Sequence, residues 1–194
     1  MSDHMTPEQR HRCMSSIHSR DTKPEVKLRR ALHGHGFRFR VNVRRLPGTP
    51  DIVLAKYHSC IFVNGCFWHG HDGCPKYTVP RTNEAFWREK VRRNRERDLV
   101  VAQLLETMGW YVVTVWECEL GKSVLDGTVA SVEERLRANL EDWARRKAQR
   151  CLDKASTRAA ARERRETRKA LEAELQSMFH IPARIVRLSE TEET

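Results

Sequence analysis

The feature that most restricts this chain is the stretch Cys66-Phe67-Trp68-His69-Gly70-His71-Asp72-Gly73-Cys74. Two thiols and two imidazoles crowd a segment with too little apolar content to hold a shape unaided. A metal would supply the missing constraint. Zn²⁺ favours tetrahedral thiolate and imidazole ligands, and a structural site leaves no position open. Cys118 closes a strongly apolar run and can return to complete four-coordination. Cys66, His71, Cys74 and Cys118 would then form a Cys₃His site and release His69 for other work. His69 competes with His71 for that place. The plainer explanation makes Cys60, Cys66 and Cys118 small buried hydrophobes. It suits Cys60, inside a strand pattern, and suits Cys66 and Cys74 badly. Cys13 and Cys151 are unassigned thiols.

On either side of this loop the pattern is that of a mixed α/β domain. Thr6-Pro7-Glu8-Gln9 reads as a helix start running to about Ile17. Thr22-Lys23-Pro24-Glu25 reads as a second, ended by Gly34 or Gly36. Residues 37–43 alternate apolar and polar, which predicts a half-buried strand. A turn at 46–50 leads to two apolar runs, 51–54 and 60–63, joined as a central hairpin. A long helix is predicted over about 83–108, stopped by Gly109, and a strong strand over 110–116. Val132, Leu136, Leu140 and Trp143 share one helical face. The order is helix, helix, strand, hairpin, helix, strand, helix: a mixed sheet flanked by helices.

Charge narrows the partner. The chain of 194 residues carries a net charge of +10. Such a balance suits a polyanion, nucleic acid being the common one, although a solvated surface gives the same number. No apolar run is long enough to span a bilayer, and the N-terminus opens no signal-peptide pattern, so no membrane is involved and a cytoplasmic protein is expected. From about residue 145 the composition turns to Arg, Lys, Ala and Glu, as in a solvated helix or arm. Leu171, Leu175, Met178 and Phe179 suggest a short docking helix within it. The expected division is 1–145 and a basic helical extension over 146–194.

Asp51 follows Pro50 and opens a short strand whose hairpin partner ends at Val63-Asn64. A carboxylate there can hold Mg²⁺ through hard oxygen contacts, with a main-chain carbonyl as a second oxygen. Asp after Pro is also a common turn residue. Glu25 stands three residues after Thr22, where a capping-box glutamate belongs. His69 could act as a general base on water. Phe67, Trp68, Phe86 and Trp87 suit stacking on bases or wedging between them, or covering the loop as a satellite core. Lys90 and the arginines from Arg81 to Arg97 could contact phosphates.

Several segments together resemble one family, the very-short-patch-repair (Vsr) mismatch endonucleases. They are Met14-Ser15-Ser16-Ile17, Ser19-Arg20-Asp21-Thr22 with Glu25, Phe39-Arg40-Val41, and Leu46-Pro47-Gly48-Thr49-Pro50-Asp51. Further on come Ile61 to His69, Phe86-Trp87-Arg88-Glu89-Lys90, Asn94-Arg95-Glu96-Arg97-Asp98 and Val115-Trp116-Glu117-Cys118. The resemblance covers roughly residues 8–145. It implies a restriction-endonuclease-like α/β core, with catalytic Mg²⁺ on Asp51 and the main-chain carbonyl of Val63. It implies acid–base chemistry by His69, Glu25 orienting water or His69, and structural Zn²⁺ on Cys66, His71, Cys74 and Cys118. Phe67, Trp68 and Trp87 would enter the DNA stack, with Arg20 and Lys90 among the DNA contacts. The implied reaction is hydrolysis of the phosphodiester 5′ to the T of a T:G mismatch in double-stranded DNA. A DNA-cytosine methyltransferase is the implied genetic companion; a nick at an asymmetric lesion needs only a monomer, and a nucleoid-associated monomer is expected.

One departure stands out. The family usually has histidine where this chain has Asn64, and an amide cannot exchange a proton near neutral pH. Slower or altered cleavage is therefore expected. A restriction-like nuclease of the same fold, or a zinc-containing mismatch binder without catalysis, are the competing readings. The extension after about residue 145 is the second departure.

Overall fold

A computed structural model describes Gln9 and residues 20–179. The expected helix at 6–17 and the 14–19 motif lie outside those residues, apart from Gln9, which is helical.

The elements are α1 (Lys23–Gly34), β1 (Arg40–Val41), β2 (Ile52–Leu54), β3 (Ser59–Asn64), α2 (Glu84–Thr107), β4 (Tyr111–Trp116) and α3 (Leu125–Phe179). The four strands form one sheet in the order β1-β2-β3-β4. β1 to β3 are antiparallel neighbours, whereas β4 runs parallel to β3, with α2 as the crossover between them.

Period-two alternation decides the layers. Ile52, Leu54, Ile61, Val113 and Val115 face one side and bury against Leu28 and Leu32 of α1 and Val129, Val132 and Leu136 of α3. Val53, Cys60 and Val112 face the other and meet Leu105 and Val101 of α2. The result is a three-layer helix–sheet–helix core whose strands are apolar on both faces. Leu28 and Leu32 repeat the spacing begun by Glu25, so this carboxylate lies on the buried face of α1.

Three expectations need correction. The strand over 37–43 shrinks to Arg40–Val41, both exposed. Phe37 instead closes the end of α1, its N–H donating to the Leu32 carbonyl, and Asn42 turns the chain with φ of 49°. The separate docking helix near Leu171 does not exist, because one helix runs from Leu125 to Phe179. No Gly or Pro interrupts residues 128–179, and Ala, Arg and Glu are strong helix formers. Third, the Thr22 hydroxyl donates to Glu25 Oε1 (2.7 Å) instead of capping the helix backbone, and Glu25 Oε2 accepts from the Asp21 N–H (3.0 Å).

The chain divides into two compact units, the division falling between Trp143 and Ala144. No helix among the described residues is long and apolar enough to cross a membrane.

Candidate active site and metal centre

The parallel pairing of β3 and β4 builds the metal centre. Asn64 lies opposite Trp116, so Cys66 and Cys118, each two residues further on, leave the sheet side by side. The loop after Cys66 turns back through the His71 N–H, which donates to the Cys66 carbonyl (2.9 Å). His71 Nδ1 comes within 3.7 Å of Cys66 Sγ and 3.3 Å of Cys118 Sγ. Its ring stacks flat on Trp116, centroids 4.2 Å apart. Adding Cys74, the four donor atoms lie within 4.8 Å of one another, a set that could hold a metal ion. Thiolates around one tetrahedral Zn²⁺ stand about 3.8 Å apart, so the spacing and the donor chemistry fit. Burial raises the Cys66 and Cys118 thiols above the usual range, while the Lys76 N–H lowers Cys74. Cys60 is fully buried on the α2 side of the sheet, its thiol pushed up to about 12 by that burial.

His69 takes no part in this cluster. Its Nδ1 lies 2.5 Å from Asp98 Oδ2 on α2. One face of α2 carries the whole loop. Asn94 Nδ2 donates to the Trp68 carbonyl (2.8 Å), Arg95 Nε to the His69 carbonyl (3.2 Å), and Arg95 Nη2 to the Gly70 carbonyl. Arg95 also pairs with Asp72 at 2.7 Å. Gly70 has φ of 64°, and a Cβ there would stand 2.5 Å from Val91 Cγ1 and 2.9 Å from Arg95 Nε. Only glycine lets the loop lie this close to the helix.

Asp51 immediately precedes β2. The register Ile52↔Ile61 sets it beside the end of β3, and its Oδ2 accepts the Val63 N–H at 2.8 Å. The remaining oxygen has no hydrogen bond among the described residues. Burial raises this carboxyl to about 6, against the lowering effect of the Val63 N–H, and nearby Glu25 raises it further. Arg29 and His69 pull the other way. Arg29 joins Asp51 to α1: Nη2 donates to Glu25 Oε2 (2.8 Å) and to the Asp51 carbonyl (3.3 Å), and Nη1 pairs with Asp21. Glu25 is only 4% exposed. Asn64, half-buried, has no side-chain partner among the described residues.

The aromatics gather on each other. Phe67, Trp68 and Trp87 are half-buried, with edge-to-face contacts of 5.2 Å (Phe67–Trp68), 5.3 Å (Phe67–Trp87) and 6.0 Å (Trp68–Trp87). Phe86 adds a contact at 5.2 Å to Trp87 and is 58% exposed. Their companions in the sequence reading, Arg20 and Lys90, are exposed. Reading the sequence alone leaves Asp98, Asn94 and Arg29 without roles and offers Arg95 as a phosphate contact, whereas Arg95 donates to the carbonyls of the loop. The signal was present in the helical spacing of Trp87, Val91, Asn94, Arg95 and Asp98, which shares one face of α2.

The geometry can be set beside known proteins. The family model for "DNA mismatch endonuclease Vsr" matches residues 2–76. The DNA mismatch endonuclease Vsr of Escherichia coli K12 is 42% identical over 130 residues, covering 67% of this chain and 80% of the relative. This chain belongs to the Vsr family. Other relatives are similarly close. The type II nicking enzyme V.NmeAIP of Neisseria meningitidis is 48% identical over 62% of this chain and 85% of its own length. V.XorIIP of Xanthomonas oryzae, also named a type II nicking enzyme, is 40% identical over 73% of this chain and 98% of its own.

Proposed function

We propose that this Vsr-family protein is a DNA endonuclease that nicks one strand of duplex DNA, 5′ to the T of a T:G mismatch. The observation that carries the reading is the convergence of Asp51, Val63, Asn64, and the His69–Asp98 pair around the end of β3. The nicking activity named for the relatives supports a single-strand cut. The name of the Escherichia coli member supports a mismatch as the target.

The donors at Asp51 suit a hard cation. Its second carboxylate oxygen is uncommitted, and in a strand the N–H and C=O of one residue point to the same edge. The Val63 N–H points to Asp51, so the Val63 carbonyl opens there too. Asp51 and the Val63 carbonyl would hold Mg²⁺, which when bound would supply Lewis-acid stabilisation of charge on the phosphoryl group. Cys66, His71, Cys74 and Cys118 would hold structural Zn²⁺.

The chain's own groups do the rest. Asp98 accepts from His69 Nδ1–H and so fixes the tautomer that leaves Nε2 free to take a proton from the attacking water. Glu25 is locked by Asp21, Thr22 and Arg29, and its nearness to Asp51 adds negative charge that favours a cation. Asn64 can hold a phosphate oxygen or a water in place but cannot transfer the proton. Phe67, Trp68 and Trp87 would open from their mutual contact and enter the stack beside the mismatch, where a wobble pair lowers the unstacking cost. Arg20 and Lys90 add phosphate contacts. A monomer suffices for a nick at an asymmetric lesion, and the expected genetic companion is a DNA-cytosine methyltransferase.

The test is a panel of end-labelled duplexes with T:G, T:A and C:G at one position, incubated with protein and Mg²⁺. A nick confined to the T strand of the T:G duplex is expected. Cutting of matched duplexes would move the assignment to a restriction-like nuclease. Mismatch binding with no cutting, which Asn64 makes the main rival, would leave a binder.

A further inference from the structure

The basicity of this protein is not spread evenly. Residues 144–169 contain eleven Lys and Arg against three Asp and Glu, a net +8 out of +10 for the whole chain. Residues 1–143, which hold the candidate active site, carry only +5 over more than five times that length, and residues 170–194 carry −3.

All of these residues are helical, within α3. At 3.6 residues per turn the charges separate into faces. Arg146, Lys147, Arg150, Lys154, Arg158, Arg162, Arg164, Arg165, Arg168 and Lys169 fall within an arc of about 160°. Asp153, Glu163 and Glu166 all fall outside it. Arg162 pairs with Glu166 at 2.8 Å and Arg168 with Glu172 at 3.7 Å. Asp153 is taken by Gln149 at 2.8 Å. Arg150, Lys154, Arg158, Arg164, Arg165 and Lys169 pair with no carboxylate among the described residues. A helix stabilised by its own surface would intersperse the signs at i,i+4. Here like charges repeat at that spacing, from Arg146 through Arg150, Lys154 and Arg158 to Arg162, which opposes the helix unless an external anion neutralises them. Residues 144–167 are all exposed, so no protein surface in the described chain covers them.

We propose that this basic face is a second DNA contact, lying along phosphates of the duplex that flanks the nicking site. It rests on the proposed DNA endonuclease function and extends it. The occupant follows from charge and length. Twenty-six helical residues span about 39 Å, a little over one turn of B-DNA at about 34 Å. The contact carries no base information, so it raises affinity and residence on long DNA without changing which mismatch is read.

The test measures the salt dependence of binding by full-length protein to T:G duplexes of 16 and 40 base pairs, by fluorescence anisotropy. Each phosphate contact adds about 0.9 to the slope of log K against log salt. The wild type should show a slope steeper by 2 or more (about 0.9 per contact) on the longer duplex. The variant Arg150→Gln, Lys154→Gln, Arg158→Gln, Arg165→Gln should lose most of that difference and bind the 40-mer at least about 10-fold more weakly. Gln matches Arg and Lys in helix propensity, and far-UV circular dichroism checks that the helix persists. The charge-keeping set Arg150→Lys, Arg158→Lys, Arg165→Lys should retain the slope. Wild-type slopes equal on the two duplexes overturn the proposal, whatever the variants do. So does a Gln variant that keeps the wild-type slope. Nicking of the T:G strand is scored in the same samples. Nicking with equal slopes removes the arm and leaves the endonuclease reading standing; a slope difference without nicking does the reverse.

Discussion

Asp51 carries a penalty in the folded protein. Its carboxyl is raised from 3.8 to about 6, first by burial and then by the charge of Glu25. Between those values the native state binds more protons than the unfolded chain, so stability falls as pH rises through the window and the penalty is complete above it. Replacing Asp51 by Asn should therefore raise the melting temperature of the zinc-bound protein in the absence of Mg²⁺ at pH 7.5 by about 3–8 °C. At pH 4.5 the gain should shrink to about a third. Differential scanning calorimetry at the two pH values checks this, and a variant less stable than wild type at pH 7.5 would show that the Val63 N–H outweighs desolvation. Asn64 is the second residue with a defined consequence. An amide holds but does not transfer a proton, and a general acid–base group contributes about 10²–10⁴-fold. Asn64→His should raise the single-turnover nicking rate at least about 10-fold. No rise would mean that position 64 does not limit the chemistry.

At the scale of elements, the loop after β3 depends on two supports: the face of α2 bearing Asn94 and Arg95, and the Cys66–His71–Cys74–Cys118 cluster. Structural zinc contributes folding free energy outright. We expect one zinc per chain by elemental analysis. Cys118→Ser should lower the melting temperature by about 10 °C and open the loop to trypsin at Lys76 and Arg81. A zinc-free protein that melts with the wild-type profile would contradict the role. Much of this element was readable in advance. Cys66, Cys74 and Cys118 stand apart by ligand chemistry alone, and the hairpin by its two apolar runs. The choice between His69 and His71 was not readable, because it turns on Asp98, which the fold brings 2.5 Å from His69 across 29 residues. The alternation over 37–43 misled because Phe37 and Phe39 serve the helix-side core while only Arg40–Val41 pairs with β2.

For the molecule as a whole, the sheet places one strand end at the junction of two chemistries. β3 delivers Val63 to Asp51 and, three residues later, Cys66 to the thiol cluster, so a rigid parallel pair positions both. The mixed α/β class was legible from the element order. The parallel sense of β4 was not, since it follows from α2 crossing the sheet. Family membership supports a DNA endonuclease, and the proposed account adds that it acts on a mismatched duplex and needs its Asp51 carboxylate. The direct test compares wild type with Asp51→Ala on one end-labelled T:G duplex in Mg²⁺, following binding and strand scission together. The account predicts a T-strand nick by the wild type, and for the variant retained mismatch binding with scission reduced by at least about 10³-fold. Equal scission by both proteins would contradict it.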